Sequence, residues 1–337
     1  MLKLNKYCLG AMLAAVNGSA GIAQTLKANG CDADTYQLIT YAGFNYEVPD
    51  ASRQHTTAPF RHIGQVYDED LNAYSFSFFI HALIDDDRGM DNITDRQRVE
   101  IKTDNGSPAS MVAKEGETLI MQWKMKLPES FTTTTKFCHL HQLKGIDNVV
   151  GTADVSNPLI TLTACAAGST QKLQLRYYNR SSGEISVKKS INLAEMLGKW
   201  VEITETVTFG TNLTRTNNGR YKISIVRMSD KKELMSWTKN SEIDLWQTDC
   251  TAMRPKWGIY RYIGENRSLE TILRDEEVRF ADFCIEKAST AVSYVEAETA
   301  DDKRVFCTDG SQAETPFMAR GIYIKHGKKY LTKYKSN

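Results

Sequence analysis

The stretch LIMQWKM at residues 119–125 decides the fold class, because apolar and polar side chains alternate along it with a period of two. This period puts successive side chains on opposite faces of a half-buried β-strand. The same alternation recurs between Gly, Asn and Ser breakers at 74–80, 98–102, 173–177, 200–207, 221–226 and 278–283. Only a short segment around residues 192–197 has a helical pattern. Many short strands with almost no helix predict an all-β antiparallel sandwich or jelly roll.

Composition narrows the class of partner. The chain has 337 residues, of which 41% are hydrophobic, and 42 Lys and Arg residues face 41 Asp and Glu residues. The apolar fraction is enough for a folded core, which excludes global disorder. A net charge of +1 excludes a bulk electrostatic grip on nucleic acid, so no nucleic-acid partner is expected.

The first 23 residues have the pattern of an export signal. Lys3 and Lys6 precede an apolar run at 9–16, and small residues lead to a cleavage site at 21–23. The run is too short for a membrane span and is interrupted by Asn17. We therefore expect residues 1–23 to be removed and the mature chain to be secreted, periplasmic or on the cell surface, as a monomer without a membrane span.

The remaining chain divides near residue 288. Residues 24–288 carry the strand patterns, and 289–337 form a polar linker followed by a small β-like module that ends in a basic tail. The segments VFCTDG at 305–310 and GIYIKHGKK at 321–329 resemble the C-terminal sorting modules of Bacteroidetes secreted proteins. That resemblance implies a role in delivery for the tail.

No metal site is expected from residue spacing. Alternation puts Cys138 on the strand face opposite His139 and His141, which argues against a structural zinc. The acidic run 85–87 does not match an EF-hand loop and is interpreted as an exposed turn, so structural calcium is the one metal left open. Six cysteines remain after the signal, an even number that permits disulfides in an exported chain, with Cys31–Cys284 as one hypothesis.

Three strands carry more polar groups than a structural strand needs. Alternation assigns the following residues to shared faces: Arg96, Arg98, Glu100 and Lys102 in the first strand; Gln142 and Lys144 in the second; Lys256, Gly258, Tyr260 and Tyr262 in the third. A mid-strand glycine such as Gly258 is costly unless something approaches closely, and a bound polymer would do so.

Together these strands resemble the concanavalin-like jelly-roll polysaccharide lyases. Family 7 alginate lyases carry an Arg/Glu/Arg strand, a Gln-Ile-His strand and a Lys-Ala-Gly-x-Tyr-x-Gln strand on one concave sheet. The matching stretches here are RVEIK at 98–102, QLK at 142–144 and KWGIYRY at 256–262. Lys144 replaces the motif histidine and Tyr262 replaces the final glutamine. The resulting Lys/Tyr pair is closer to the family 28 ulvan lyases.

The resemblance implies a secreted lyase that cleaves an anionic, uronic-acid polysaccharide by β-elimination, with ulvan as first choice and alginate or glucuronan next. Arg98 and Gln142 would stabilise the charge that develops on the uronate. Lys144 would be the base and Tyr260 the acid, with the reverse order, or Tyr260 in both roles, left open. The expected substrate-binding residues are Glu100, Lys102, Lys256, Tyr262 and His141.

Two alternatives stay open. Parity places His139 and His141 away from Gln142 and Lys144, as core or supporting residues, unless a β-bulge intervenes. A non-catalytic, lectin-type sandwich would use Tyr260 and Tyr262 as stacking platforms without needing Lys144 and Arg98 together. A glycoside hydrolase is disfavoured because the segment EIDLW at 242–246 lacks a second catalytic carboxylate at the right position.

Overall fold

The computed structural model describes residues 23–51, 55, 60–90, 92–210 and 219–288, together with the backbone of three short strands nearer the C-terminus. The chain forms two compact units, residues 1–289 and residues 290–337. Apart from Ala23, the predicted signal peptide lies outside the described residues, as do most of the linker and the end of the basic tail.

Strands dominate the described residues. The strands are β1 Gln24–Leu26, β2 Asn45–Glu47, β3 Ile63–Asp68, β4 Ala73–Ile80, β5 Arg96–Lys102, β6 Thr118–Lys126, β7 Cys138–Ile146, β8 Ile160–Ala167, β9 Thr170–Asn179, β10 Glu184–Asn192, β11 Trp200–Thr208, β12 Gly219–Arg227, β13 Glu233–Ile243, β14 Ala252–Tyr262, β15 Glu276–Lys287, β16 Phe306–Cys307, β17 Ile322–Lys325 and β18 Lys328–Leu331. The helices are α1 Thr35–Tyr41 and the 3₁₀ turns Asp32–Asp34, Ala109–Met111, Leu193–Glu195 and Glu265–Arg267.

The larger unit is a sandwich of two antiparallel sheets. One sheet has the order β13-β12-β11-β6-β15-β4-β3, with β1 added beside β15. The other has the order β10-β9-β8-β7-β14-β5-β2. In the C-terminal unit, β16, β17 and β18 form a three-stranded antiparallel sheet. The all-β jelly-roll architecture predicted from the alternation is confirmed.

The core lies between the two sheets and is built from the apolar positions of the alternating strands. In β6 the inward residues Leu119, Met121, Trp123 and Met125 are all buried. The rings of Trp123 and Trp257, one from each sheet, have centroids 5.6 Å apart. Burial of such large side chains is the main favourable term in folding.

All seven strands predicted from alternation lie within observed strands, and the expected helical patch is the 3₁₀ turn Leu193–Glu195. Helix α1 was missed because its sequence, TYQLITY, is rich in β-branched and aromatic residues. Tertiary contacts stabilise it: Ile39 is buried, and the hydroxyl of Tyr36 accepts a hydrogen bond from the backbone N–H of His62.

Two further expectations are wrong. The Cys31–Cys284 disulfide is not formed, since Cys31 is free and its thiol donates instead to Asp34, 3.1 Å away. The acidic run is not an exposed turn, since Asp85 and Asp87 are buried. None of the helices in the described ranges is long and apolar enough to span a membrane.

Candidate active site

The outer face of the β10-to-β2 sheet gathers the polar side chains of the three predicted strands, and strand register arranges them in rows. In the first row Tyr260 of β14 lies opposite Arg98 of β5 and His139 of β7. In the second row Lys256 lies opposite Lys102 and Gln142.

A third row pairs Arg254 of β14 with Lys144 of β7. Along β14 the rows follow one another at positions 260, 256 and 254. The three rows therefore lie at successive positions along one extended face.

A bulge in β7 changes which histidine faces this site. The pairing of β7 with β8 shifts between His139 and His141, so that His139 pairs with Thr163 and Gln142 pairs with Thr161. His139 therefore lies on the same face as Gln142 and next to Tyr260, contrary to the parity prediction.

His141 points the other way, into the space between the sheets. Its Nε2 lies 2.9 Å from a carboxylate oxygen of Glu205 on the opposite sheet, and only 1% of the residue is exposed. The expectation that His141 binds substrate is therefore wrong.

Gly258 is required by the neighbouring strand and not by a ligand. Its φ is +149°, and a Cβ placed on it would lie 2.0 Å from the carbonyl oxygen of Val99 in β5. The close approach predicted from a mid-strand glycine is real, but the approaching group is the backbone of the same sheet.

Two of the expected substrate-binding cations, Lys256 and Lys102, belong to an internal ion-pair network. The Lys256 ammonium lies 2.5 Å from Glu47 and 2.7 Å from Glu100, and Lys102 lies 2.9 Å from Glu47. Burial alone would raise the pKa of Glu47, but the charges of Lys256 and Arg98 outweigh it and hold that pKa below its ordinary value.

Arg98 and Gln142 belong to the same network. The Arg98 guanidinium contacts Glu47 at 3.1 Å, Glu100 at 2.9 Å and Asp87 at 2.8 Å. The Gln142 amide donates to Glu100. Both donors are satisfied by buried carboxylates, so the predicted direct role of Arg98 and Gln142 on a substrate carboxylate is not supported by this geometry.

Tyr260, in the first row, contacts two guanidinium groups. Its hydroxyl accepts a hydrogen bond of 2.7 Å from Nη1 of Arg96, and the Arg98 guanidinium lies 3.8 Å from the centre of its ring. Burial raises the pKa of the phenol, although both guanidiniums act in the opposite direction. Tyr260 therefore holds its proton at neutral pH and keeps two cations ready to stabilise a phenolate.

His139 is a neutral imidazole beside that phenol. Its ring centroid lies 5.8 Å from that of Tyr260, its Nδ1 lies 2.8 Å from the Thr163 hydroxyl, and it stacks on Phe137. Burial lowers the pKa of His139 to about 3, and the nearby Arg176 contributes. The ring is therefore uncharged at neutral pH, the protonation state of a general base, although the lowered pKa makes it a weaker base than a free imidazole.

Lys144 is not next to Tyr260. Its register partner, Arg254, lies six residues before Tyr260 in β14, which is roughly 20 Å of extended strand. Burial, with the charges of Lys256 and Arg98, lowers the pKa of Lys144 to about 7. The amine has the titration expected of a base, but its register partner is Arg254 and not Tyr260, so the Lys144/Tyr260 pair around one sugar stays a prediction.

Among the described cations of this face, Lys144, Arg254 and Arg176 have no carboxylate partner. Lys144 donates to the carbonyl of Ser156 at 3.3 Å, Arg254 to the carbonyl of Thr103 at 3.2 Å, and Arg176 to Gln174 at 2.8 Å. They are called the unpaired cations below.

Sequence reasoning missed several of these residues. Arg254 could have been found by extending the alternation of β14 by one step toward its start. Glu47 and Asp87 carry no such signal, because they come from segments whose position beside β5 is decided only by the fold. Tyr262, an expected binding residue, lies at the end of the face beside Phe137.

No family model matches the sequence, and no curated protein is similar to it. Among solved structures, the marine PL-14 alginate lyase from Aplysia kurodai is similar with a TM-score of 0.52 and 12% identity, over 80% of this chain and 99% of that chain. An alginate lyase from a Chlorella virus has a TM-score of 0.44 and 10% identity, over 74% of this chain and 96% of that chain. The PL7 alginate lyase from Zobellia galactanivorans has a TM-score of 0.38 and 14% identity, over 73% and 95%. At this identity the first similarity shows the jelly-roll fold.

Proposed function

We propose that this protein is a polysaccharide lyase that cleaves a uronic-acid polymer by β-elimination on the outer face of the β10-to-β2 sheet. The observation that carries the proposal is the side-by-side placement of His139 and Tyr260, with Arg96 and Arg98 against the phenol. The fold, which alginate lyases share, is consistent with it.

The reaction needs a base for the C5 proton, an acid for the leaving oxygen at C4, and cations that neutralise the carboxylate. His139 is uncharged and takes the proton, and a substrate carboxylate beside the ring raises its basicity. Tyr260 gives its proton to the leaving oxygen, and Arg96 and Arg98 stabilise the phenolate that remains.

The unpaired cations suit an anionic chain. Arg176 contributes to the electrostatics of His139 and is our candidate for the carboxylate of the reacting sugar. Lys144 and Arg254 lie further along the face and would bind carboxylates or sulfates of neighbouring sugars. The preference for ulvan rested on a Lys/Tyr pair that the register separates, so the polymer is to be decided among ulvan, alginate and glucuronan by assay.

The test is ultraviolet absorbance of the unsaturated uronic end, measured on a panel of ulvan, alginate, glucuronan and a heparin-type polymer. Tyr260→Phe and His139→Gln should each lower kcat by about 10²–10⁴-fold, the usual contribution of general acid–base catalysis. Tyr67→Phe, which deletes an exposed hydroxyl on the other sheet, is the matched control and should retain wild-type activity.

Lys144→Met separates the two choices of base. With His139 as base, this variant raises KM and leaves kcat within a few-fold of wild type. A kcat loss equal to that of Tyr260→Phe would make Lys144 the base instead. Binding of a polymer without any unsaturated product, on every member of the panel, would contradict the lyase proposal and favour the lectin-type alternative.

A further inference from the structure

A cluster of three histidines and one aspartate lies beside the acidic run, outside the candidate active site. His55, His62, His81 and Asp85 each offer one ligand atom, and these atoms lie within 4.8 Å of one another. Three of the six histidines of the chain meet here, although no spacing motif connects them in the sequence.

Strand pairing brings the cluster together. His62 precedes β3 and His81 follows β4, and these two strands pair along their length. The backbone N–H of Phe79 donates to the carbonyl of His62, which fixes the two histidines near one end of the hairpin. The turn after His81 then returns Asp85 to the same point, where the backbone N–H of His81 donates to its carboxylate at 2.6 Å.

The contacts within the cluster are those of a metal-binding set. Nε2 of His55 and Nε2 of His62 lie 2.7 and 2.9 Å from the same carboxylate oxygen of Asp85. Nδ1 of His81 lies 3.3 Å from the other oxygen. One carboxylate thus faces three imidazoles.

The second nitrogens of two rings add to this pattern. Nδ1 of His62 lies 2.6 Å from the carboxylate of Asp50, an arrangement that orients the ring and leaves Nε2 for a metal. Nδ1 of His55 is buried and has no hydrogen-bond partner within the described residues, so only its Nε2 is engaged, at the centre of the cluster.

From this geometry we infer that His55, His62, His81 and Asp85 form a binding site for one zinc-type transition-metal dication. Imidazole nitrogen with a single carboxylate is a donor set that zinc prefers, whereas calcium requires more oxygen ligands. The charges balance, since one dication would be met by the carboxylates of Asp85 and Asp50. Four protein ligands leave no open coordination position, so the site is structural.

The exposed part of His81 gives a metal ion a route into the site, and a bound ion would also stabilise part of the fold. The side chains of His55, His62 and Asp85 are almost completely buried, whereas 23% of the His81 side chain is exposed and marks the entrance. A bound ion would fix the turn that begins at His81. That turn presents Asp87 to Arg98 at 2.8 Å, next to the candidate active site.

The experiment uses the full chain without a histidine tag, stripped with a chelator and then titrated with Zn²⁺, Co²⁺ or Ca²⁺. We expect one equivalent of zinc by metal analysis, the visible absorption bands of tetrahedral cobalt, a higher melting temperature with zinc, and no binding of calcium. His81→Gln should weaken zinc binding by more than about 100-fold, because the loss of a ligand exceeds the roughly 10–100-fold loss expected for the orienting variant Asp50→Asn. His139→Gln, a histidine outside the cluster, is the matched control and should bind zinc as the wild type does.

Less than a tenth of an equivalent of zinc in the wild type, or wild-type affinity in His81→Gln, would overturn the inference. If His62→Gln does not fold, His81→Gln and the cobalt spectrum of the wild type still decide the question, since His81 is the one ligand whose side chain is partly exposed.

Discussion

Replacing Lys144 by Met should stabilise the protein near neutral pH, and the gain should disappear as the pH rises. The Lys144 amine is buried near Lys256, Arg98 and Arg254 and has no carboxylate partner among the described residues, which lowers its pKa from 10.5 to about 7. A lysine with a lowered pKa in the folded state opposes folding wherever both states are protonated.

The sign and size follow from linkage. Between about pH 7 and about pH 10.5 the unfolded chain binds the proton and the folded chain does not, so the wild type gains stability with rising pH in this window. A full shift of this size corresponds to roughly 5 kcal/mol. Because Lys144 is only partly buried and water screens its charge, we expect Lys144→Met to raise the free energy of unfolding by about 1–2 kcal/mol at and below pH 7.

Urea unfolding at about pH 6 and about pH 9.5 measures this difference, which should be largest at the lower pH. Lys189→Met, which replaces an exposed lysine on the edge strand β10 of the same sheet, is the control and should change stability by less than about 0.5 kcal/mol at either pH. A stability difference for Lys144→Met that is the same at both pH values would refute the reasoning, because it would show that the amine titrates as an ordinary lysine.

Three further predictions concern the architecture that supports the site. Gly258→Ala should lower the free energy of unfolding in urea by more than about 3 kcal/mol, because the added Cβ meets the backbone of β5. The control Gly183→Ala, at a positive φ but with open space around the Cβ, should lower it by about 1 kcal/mol, and equal losses would show that the contact with β5 is not the cause. Glu205→Gln should lower the free energy of unfolding by about 2–4 kcal/mol, since it removes the buried charge that pairs with His141. A similar loss in the control Glu202→Gln, on the outer face of the same strand, would argue against burial as the cause. Glu47→Gln should reduce the loss of stability at acid pH, because the wild type is stabilised by the Glu47 carboxylate above about pH 4.5 and loses this contribution as the pH falls further. An unchanged dependence of stability on acid pH in the variant would show that the Glu47 carboxylate is not stabilised by its cations.

Much of the site could be predicted from alternation. Arg98, Glu100 and Lys102 share one face of β5, and Lys256 and Tyr260 share one face of β14, in register with them. Period-2 patterning fixes the face of a side chain wherever a strand is regular, because one face must be apolar to be buried.

The errors arose where a strand is irregular or where a partner comes from elsewhere in the chain. The bulge at His139 moved that ring to the face of Tyr260 and left His141 in the core, and nothing in the local pattern specifies a bulge. The alternation of β5 predicts that the Arg98 guanidinium is free to bind a substrate carboxylate. In the fold, however, this guanidinium forms ion pairs with Glu47 and Asp87.

By itself, then, the sequence determined the strands, the sandwich and the polar face, since these depend on which side chains must leave water. The tertiary structure alone decided register, and register sets which groups are neighbours: it placed His139 and not Lys144 beside Tyr260, and it gathered His62, His81 and Asp85 around one point. The physical reason is that hydrophobic burial acts on each strand separately, whereas a site depends on distances between strands that pair only after the chain has folded.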